Sequence, residues 1–138
     1  MNQSDIDLII KHEGYKGRVY KDHLGFDTIG IGFKVSELYL SEDISKQILK
    51  QKLSKLELEI TQKFDWYTNA QSILKTVVLN MCYQMGVTGF SKFKKTIQYM
   101  AKGDLDKASE EMLDSKWGRE QTPERANELS QLLKYGGV

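Results

Sequence analysis

Apolar residues recur at helical spacing through most of the chain after residue 40. The first such run predicts a helix of about 20 residues, from about 42 to 62, and no Gly or Pro interrupts it. Ser41 and the acids Glu42 and Asp43 mark its start, because a Ser cap and early acids both favour a helix N-terminus. The apolar positions that define the run are Ile44, Ile48, Leu49, Leu53, Leu56, Ile60 and Phe64.

Further helices are predicted beyond residue 70. The first is apolar over most of its circumference, which is typical of a buried central helix, and Gly86 ends it. A second helix carries Phe90 and Phe93 and ends at Lys102-Gly103, and a third runs through 105–113. Thr122-Pro123 predicts the start of the last helix, with a cap followed by proline at the first helical position. The last residues, 135–138, are predicted to be a loose tail.

The first 40 residues follow a different pattern. Ser4 or Asp5 is predicted to cap a helix over residues 4–12, which Gly14 ends. Closely spaced glycines then exclude a helix of ordinary length. We predict a hairpin whose first strand ends near Asp22 and whose second strand starts near Thr28, with a third short strand over 33–35. Together with the helices downstream, this predicts the α+β class.

Composition excludes several kinds of protein. The 138 residues hold 20 basic and 19 acidic side chains, a net charge of +1, so long-range steering to an anionic partner should be weak. Cys82 is the only cysteine, which rules out an intramolecular disulfide, and we expect a buried thiol. With two histidines and one cysteine, we predict no metal and no cofactor. Asp5 and Asp7 argue against a signal peptide, and no apolar run is long enough for membrane insertion.

Two carboxylates lie at either end of the first strand of the predicted hairpin. Glu13 lies at a helix end and Asp22 at a strand end nine residues later. When the hairpin folds back, the two carboxylates can face each other across a cleft, as glycoside hydrolysis requires. On spacing alone, two solvated surface charges are the far commoner interpretation.

Three sequence blocks resemble those of phage-type lysozymes, glycoside hydrolase family 24. The first contains E-G, Y-x-D and G-x-x-T-I-G-I-G between Glu13 and Gly32. The second covers residues 80–89 and is similar to the family's buried central helix and the turn after it. The third combines S-K-W at 115–117 with Q-T-P-E-R-A at 121–126.

The resemblance implies one two-lobed lysozyme-like domain over residues 1–138. Its parts would be an N-terminal hairpin lobe at about 13–40, a linking helix at about 42–62, and an all-helical lobe at about 63–138. The helix at 4–12 would pack on the helical lobe.

The resemblance also implies an activity. A muramidase of this family hydrolyses the β-1,4 bond between N-acetylmuramic acid and N-acetylglucosamine with inversion. Glu13 would protonate the leaving oxygen, while Asp22 and Thr28 would hold the attacking water. Inverting carboxyl groups lie roughly 6.5–9.5 Å apart. Two alternatives stay open: a lytic transglycosylase, and an inactive wall-binding module. Asp22 could also be a simple turn residue, and Thr28 an ordinary strand threonine.

Other residues match the family's substrate contacts. Arg125 resembles an arginine that pairs with the catalytic glutamate, and Trp117 is more typical of a core residue than of a sugar platform. The positions matched to substrate binding are Lys34, Tyr83, Gln84, Gly86, Gly89, Thr96 and Arg125. A local basic surface, or simply a solvated face, is formed by Lys92, Lys94, Lys95, Lys116 and Arg119.

The implied partners are peptidoglycan glycan strands, with no nucleic acid and no second copy of the chain. The protein would stay in the host cytoplasm until a separate holin-type protein releases it to the wall for host lysis; a virion-borne role is the alternative.

Lys34 and Thr96 match the family's substrate contacts only loosely, since neither keeps the usual residue type, and the chain departs from the family pattern elsewhere too. Phe33 stands where a histidine is common, Lys52 stands where that histidine's aspartate partner is expected, and Glu111 stands where an amide is more usual. The chain is also shorter between the hairpin and the long helix, so outer substrate contacts of the N-terminal lobe are expected to be missing.

Overall fold

The computed structural model describes residues 1–136. It contains a small antiparallel sheet near the N-terminus and helices elsewhere, so the predicted α+β class is confirmed. The chain separates into two compact units, Met1–Ser45 and Lys46–Val138. The elements in chain order are α1 (Gln3–Glu13), β1 (Lys16–Lys21), β2 (Asp27–Gly30), β3 (Phe33–Lys34), a 3₁₀ turn (Val35–Glu37), α2 (Glu42–Lys63), α3 (Ser72–Phe90), α4 (Lys94–Lys102), α5 (Leu105–Leu113), a π-helical turn (Trp117–Gln121) and α6 (Pro123–Tyr135).

Helix α1 begins earlier than predicted. Its cap is Asn2, whose side chain accepts from the Asp5 amide at 3.1 Å, while the Asp5 carboxylate accepts from the Asn2 amide at 2.8 Å. The prediction of Ser4 or Asp5 as the cap was therefore wrong, because this reciprocal pair satisfies two helix-end donors one turn upstream. Gly14, at φ 75°, ends the helix as predicted.

The hairpin follows directly. Strands β1 and β2 are antiparallel, with Lys21 opposite Asp27 and Tyr20 opposite Thr28. The register shifts between Tyr20 and Lys16, and β3 pairs with the other edge of β2. Both predicted strand ends and the third short strand are confirmed.

The second unit is built on helices. Helix α2 begins within the first unit, where Ser41 Oγ accepts from the Ile44 amide at 3.2 Å. Gly86 interrupts α3 at φ 78° and ψ 162°, as predicted, but helical structure returns up to Phe90. Assigning Phe90 and Phe93 to the next helix was wrong, because Phe90 ends α3 and Phe93 is the N-cap of α4.

The hydrophobic core lies in this unit. Helix α3 supplies five of its residues before Gly86, and the predicted burial of Cys82 and of Trp117 is confirmed. The buried apolar residues are Ile60, Tyr67, Leu74, Val77, Val78, Met81, Cys82, Val87, Phe90, Met100, Ala108, Met112, Trp117, Ala126, Leu129 and Leu133.

The last helix starts at Pro123, in the predicted first position, but without the predicted cap. The hydroxyl of Thr122 is buried and has no hydrogen-bond partner within residues 1–136, because the π-helical turn before it sets its backbone at φ −141° and ψ 67°. Tyr135 belongs to α6 rather than to a tail. Gly137 and Val138, the rest of the predicted tail, lie outside the described residues. Within residues 1–136, no helix combines the length and apolar character that crossing a membrane requires.

Candidate active site

A cleft of about 590 Å³ opens in the first unit. Its walls come from the end of α1, from β1 and the turn after it, and from β2 and β3. The lining residues are His12, Glu13, Lys16, Tyr20, Lys21, Asp22, His23, Thr28, Gly32 and Lys34. The structure thus brings the three predicted catalytic residues and Lys34 around one cavity.

Glu13 is the last residue of α1, and its carboxylate lies against Gly32. A Cβ atom at residue 32 would come within 2.6 Å of Glu13 Oε2, closer than packed atoms tolerate. Gly32 also has φ +66°, a conformation that favours glycine. The turn between β2 and β3 therefore needs glycine at this position both for its own shape and for the space of the Glu13 carboxylate.

Asp22 closes the hairpin turn. Its Oδ1 accepts from the amides of Leu24 at 2.9 Å and Phe26 at 2.8 Å, and its own amide donates to the Phe26 carbonyl at 3.0 Å. The bond from the Phe26 amide is the main reason that the pKa of Asp22 lies below its ordinary value, with the Leu24 amide and the charges of His23 and Lys34 acting in the same direction. Asp22 is therefore a turn-forming residue and, at neutral pH, an ionised carboxylate at the cleft.

Thr28 is fixed to the same turn. Its side chain is buried, and its hydroxyl donates to the Phe26 carbonyl at 2.9 Å. Since this bond uses the hydroxyl proton, the oxygen keeps its acceptor capacity. Asp22 and Thr28 thus share Phe26 as their common anchor.

Several cleft residues were not singled out from the sequence. Lys16 and Tyr20 both lie on β1, an even number of residues apart and before Asp22, a period-two signal that could have placed them on the same wall. Lys16 Nζ lies 4.3 Å from the centre of the Tyr20 ring. His12 and His23 each follow from adjacency to a predicted carboxylate. Lys34, which was predicted, has its Nζ 4.7 Å from the centre of the Phe26 ring.

Two predicted substrate contacts lie together in the second unit. Tyr83 and Arg125 line a cavity of about 440 Å³ between α2, α3 and α6. Arg125 is bound to α3, since its Nε donates to Asn80 Oδ1 at 2.8 Å and an Nη donates to the Asn80 carbonyl at 3.1 Å. The pairing of Arg125 with Glu13 that the resemblance implies stays a prediction.

The remaining predicted contacts are dispersed over the second unit. Gln84 Oε1 accepts from the Trp117 indole at 3.1 Å, so this amide supports the core residue beside it. Gly86 is exposed at the break in α3, and Gly89 lies against Met85. Thr96 is 3% exposed and lines another cavity of this unit, together with residues of the α5–α6 connection.

Phe33, one of the departures from the family pattern, has a clear packing partner. The Phe33 ring covers Gly30, where a Cβ atom would lie 2.7 Å from Phe33 Cδ2. Phe33 at this position therefore packs on a glycine backbone. Within the described part of the chain, no three or more His, Cys, Asp or Glu side chains form a group that could hold a metal ion.

Comparison with known proteins assigns the family. The phage lysozyme family model matches residues 10–132. Probable T4-type lysozymes 1 and 2 of Dictyostelium discoideum are 27% and 28% identical, each over 94% of this chain and 93% of the relative. The pre-baseplate central spike protein Gp5 of Enterobacteria phage T4 is 27% identical over 99% of this chain but only 28% of its own length. This chain therefore belongs to the phage lysozyme family and is a lysozyme-like peptidoglycan hydrolase of the glycosidase type.

Proposed function

We propose that this chain is a muramidase that hydrolyses the β-1,4 bond between N-acetylmuramic acid and N-acetylglucosamine with inversion. The observation that carries the proposal is the cleft of the first unit, which Glu13, Asp22 and Thr28 line together. Two carboxylates and a hydroxyl at one cavity supply an acid, a base and a water-binding group, which is the set that inverting hydrolysis needs.

Glu13 is the proposed general acid. It protonates the glycosidic oxygen as the bond to the anomeric carbon breaks, a role that contributes about 10²–10⁴-fold in typical enzymes. Its carboxylate lies against Gly32, where an added Cβ atom would come within 2.6 Å of Oε2 and displace it.

Asp22 and Thr28 are the proposed water-binding pair. Asp22 stays ionised in neutral solution because its lowered pKa favours the carboxylate. It can therefore accept a hydrogen bond from one hydrogen of the water. The Thr28 hydroxyl donates to Phe26, so its oxygen can accept the other. With both hydrogens held in hydrogen bonds, the water's lone pair attacks the anomeric carbon from the face opposite the leaving group, and the proton that the water loses passes to the Asp22 carboxylate.

The substrate in this proposal is a peptidoglycan glycan strand. Lys34 contacts it at the cleft of the first unit, and Tyr83, Gln84, Gly86, Gly89, Thr96 and Arg125 contact it on the second. The chain acts as a monomer without a cofactor, does not bind nucleic acid, and waits in the host cytoplasm for a holin-type protein to release it for host lysis. The likeness to a phage spike protein favours one alternative, a virion-borne role.

A lytic transglycosylase is the second candidate for the reaction. It cleaves the same bond, but the 6-hydroxyl of muramic acid replaces water, so it needs no water-binding pair. One observation favours it: the hydrogen bonds of Asp22 and Thr28 within the hairpin turn account for both residues without any chemistry.

Mass spectrometry of digested peptidoglycan separates these candidates. Purified peptidoglycan is incubated with the purified chain, with Glu13→Gln as the matched inactive control. Fragments that end in reducing N-acetylmuramic acid support the muramidase. Anhydro-muramic ends would identify a transglycosylase and remove the roles given to Asp22 and Thr28. A folded protein that yields no fragments would overturn both and leave a wall-binding module.

A further inference from the structure

Two lysines that line the cleft of the first unit lie over aromatic rings. Lys16 Nζ is 4.3 Å from the centre of the Tyr20 ring, and Lys34 Nζ is 4.7 Å from the centre of the Phe26 ring. Three lysines of the second unit make looser contacts, each 5.7 Å from a ring centre. A ring attracts an ammonium group through its quadrupole but has no net charge, so each cleft lysine is held in place without being neutralised.

The sheet places both lysines on the same face. In an antiparallel pair, directly opposite residues project to one side, and so do residues two apart along a strand. Thr28 of β2 lies between Tyr20 of β1 and Lys34 of β3. Lys16 of β1 lies opposite Gly30, two residues along β2 from Thr28. The two lysines therefore project from the outer strands, whose axes lie about 10 Å apart, on the face that carries Thr28.

Ion pairs do not cancel the charges of these two lysines. Within residues 1–136, neither ammonium group has a carboxylate oxygen within 4.0 Å, whereas Lys21 of the same cleft is paired with Asp27 at 2.7 Å. The acids that line the cleft are Glu13 and Asp22. Glu13 carries a proton when it acts as the proposed acid, and Asp22 Oδ1 already accepts from two backbone amides. Both histidines of the chain also line the cleft and can only add positive charge.

An anion at these lysines has to belong to the strand that occupies the cleft. The sugars of peptidoglycan are uncharged except at N-acetylmuramic acid, whose lactyl ether ends in a carboxylate or in a peptide with carboxylates of its own. A chitin strand has the same β-1,4 linkage and the same N-acetyl groups, but it lacks this substituent. Two fixed ammonium groups can therefore distinguish the two strands, because charge-assisted hydrogen bonds to a carboxylate are about twice as strong as neutral ones.

We infer that Lys16 and Lys34 select an anionic glycan strand by binding the carboxylate of the substituent on N-acetylmuramic acid. Tyr20 is a positioning residue in this inference, since its ring holds Lys16 at the cleft. The resemblance to the family placed only Lys34 among the substrate contacts, without a chemical role. The inference rests on the proposed function and adds to it the determinant of substrate class.

The direct test is a calorimetric titration of the full chain carrying Glu13→Gln, which has the shape of the protonated acid and should prevent turnover. The first ligand is the tetrasaccharide of alternating N-acetylglucosamine and N-acetylmuramic acid with free lactyl carboxylates. The second is the same tetrasaccharide with these groups converted to methylamides, and the third is chitotetraose. At constant ionic strength we expect the acidic tetrasaccharide to bind at least about tenfold more tightly than either neutral ligand. Equal affinities would overturn the inference.

Lysine variants show where the preference arises. In the Glu13→Gln background, Lys16→Gln/Lys34→Gln should reduce the preference for the acidic tetrasaccharide to below about twofold. The control Lys11→Gln/Lys50→Gln removes the same charge at two exposed positions outside the cleft and should leave the preference unchanged. Equal reductions in the two double variants would contradict the inference, because net charge alone would then explain the preference.

Two substitutions of Tyr20 test its positioning role. Tyr20→Phe keeps the ring and should keep the preference. Tyr20→Leu keeps an apolar side chain without a π-face, and should weaken binding of the acidic tetrasaccharide several-fold with no comparable change for chitotetraose. An equal loss for both ligands would indicate a merely structural role and would exclude Tyr20 as a positioning residue.

A parallel assay separates this inference from the proposed function. The parent chain is incubated with the acidic tetrasaccharide and with its methylamide, and kcat/KM is measured for each by mass spectrometry of the fragments. Hydrolysis of both at similar kcat/KM would keep the muramidase and overturn the selection by charge. Preferential binding of the acidic form without any hydrolysis would support the selection by charge and overturn the muramidase.

Discussion

The two units of this chain are stabilised in different ways. Among the described residues, every buried apolar side chain lies between Ile60 and Leu133, in the second unit. The one buried residue of the first unit is Thr28, which is polar. The first unit instead shapes its cleft with backbone hydrogen bonds to Asp22, with Thr28, and with glycines at positive φ.

This difference separates the chemistry from the bulk of the stability. A hydrogen bond contributes about 0.5–1.5 kcal/mol net, whereas truncating a buried aromatic residue costs about 3–5 kcal/mol. Substitutions in the cleft should therefore change activity at small cost in stability, and substitutions in the core of the second unit should do the reverse.

The largest effect is expected from Glu13→Gln. Removing the acid proton should lower turnover of peptidoglycan about 10³-fold, within the range of general acid catalysis. The unfolding midpoint should stay near that of the parent chain, because Glu13 is exposed. Glu37→Gln, an exposed carboxylate of the same unit, is the control and should keep full activity. Substantial lysis by the Glu13 variant would remove the residue from the mechanism.

Phe90→Ala should act on the other unit. The Phe90 ring is fully buried and packs edge-on against Phe64, with ring centres 5.6 Å apart. We expect a loss of about 3–5 kcal/mol in the free energy of unfolding, measured by urea denaturation. Leu58→Ala, at a 60% exposed position of α2, is the control and should cost under about 0.5 kcal/mol. Similar costs at both positions would contradict a packed core around Phe90.

A pair of glycine substitutions tests the contact with Glu13. Gly32→Ala and Gly25→Ala both place a side chain at positive φ, a strain of about 1–2 kcal/mol. Only residue 32 brings the new methyl group against the Glu13 carboxylate, since nothing lies within 4 Å of a Cβ at residue 25. We expect Gly32→Ala to lose activity on the order of 10²-fold more than Gly25→Ala, by turnover assays. Equal losses would mean that backbone strain alone matters.

The smallest effect concerns pH and Asp22. The folded chain lowers the pKa of this carboxylate, so its ionised form stabilises the fold above the unfolded pKa of about 4 and loses this contribution as pH falls through the lower folded value. Asp22→Asn keeps an acceptor at Oδ1 but removes the charge. The stability difference between the parent chain and this variant should be widest at pH 5–7 and should shrink as the pH falls below about 4. A difference that stays constant across this range in denaturation curves would contradict the assignment.

Local chemistry explains which elements could be predicted from the sequence. Gly14, Gly86 and Gly103 mark helix breaks because each takes a positive φ that other residues resist. Pro123 marks a helix start for a similar reason. The π-helical turn was not predicted, because it depends on Gly118 packing on the backbone of Met112 and Leu113, a contact that no local pattern encodes.

The candidate sites also divide into those that local sequence predicts and those that depend on contacts between distant residues. Glu13, Asp22, Thr28 and Lys34 lie within 22 residues, and a hairpin is enough to gather them. The partners of the other predicted residues are far away in sequence. Gln84 meets Trp117, 33 residues on, and Arg125 meets Asn80, 45 residues back. Helix packing determines such pairs. Hydrophobic periodicity predicts which face of a helix is buried, but it does not predict which other helix packs on that face.

The buried thiol of Cys82 allows the opening of the second unit to be measured separately. Burial raises the pKa of this side chain to about 12, and the nearby charge of Glu59 adds to the shift, so the native thiol is almost entirely protonated at neutral pH. A thiol-alkylating reagent can therefore modify the chain only during transient opening of the helices around Cys82. Because the chain contains one cysteine, the rate at which its mass increases on alkylation reports the rate of that opening. This measurement does not depend on turnover at the cleft.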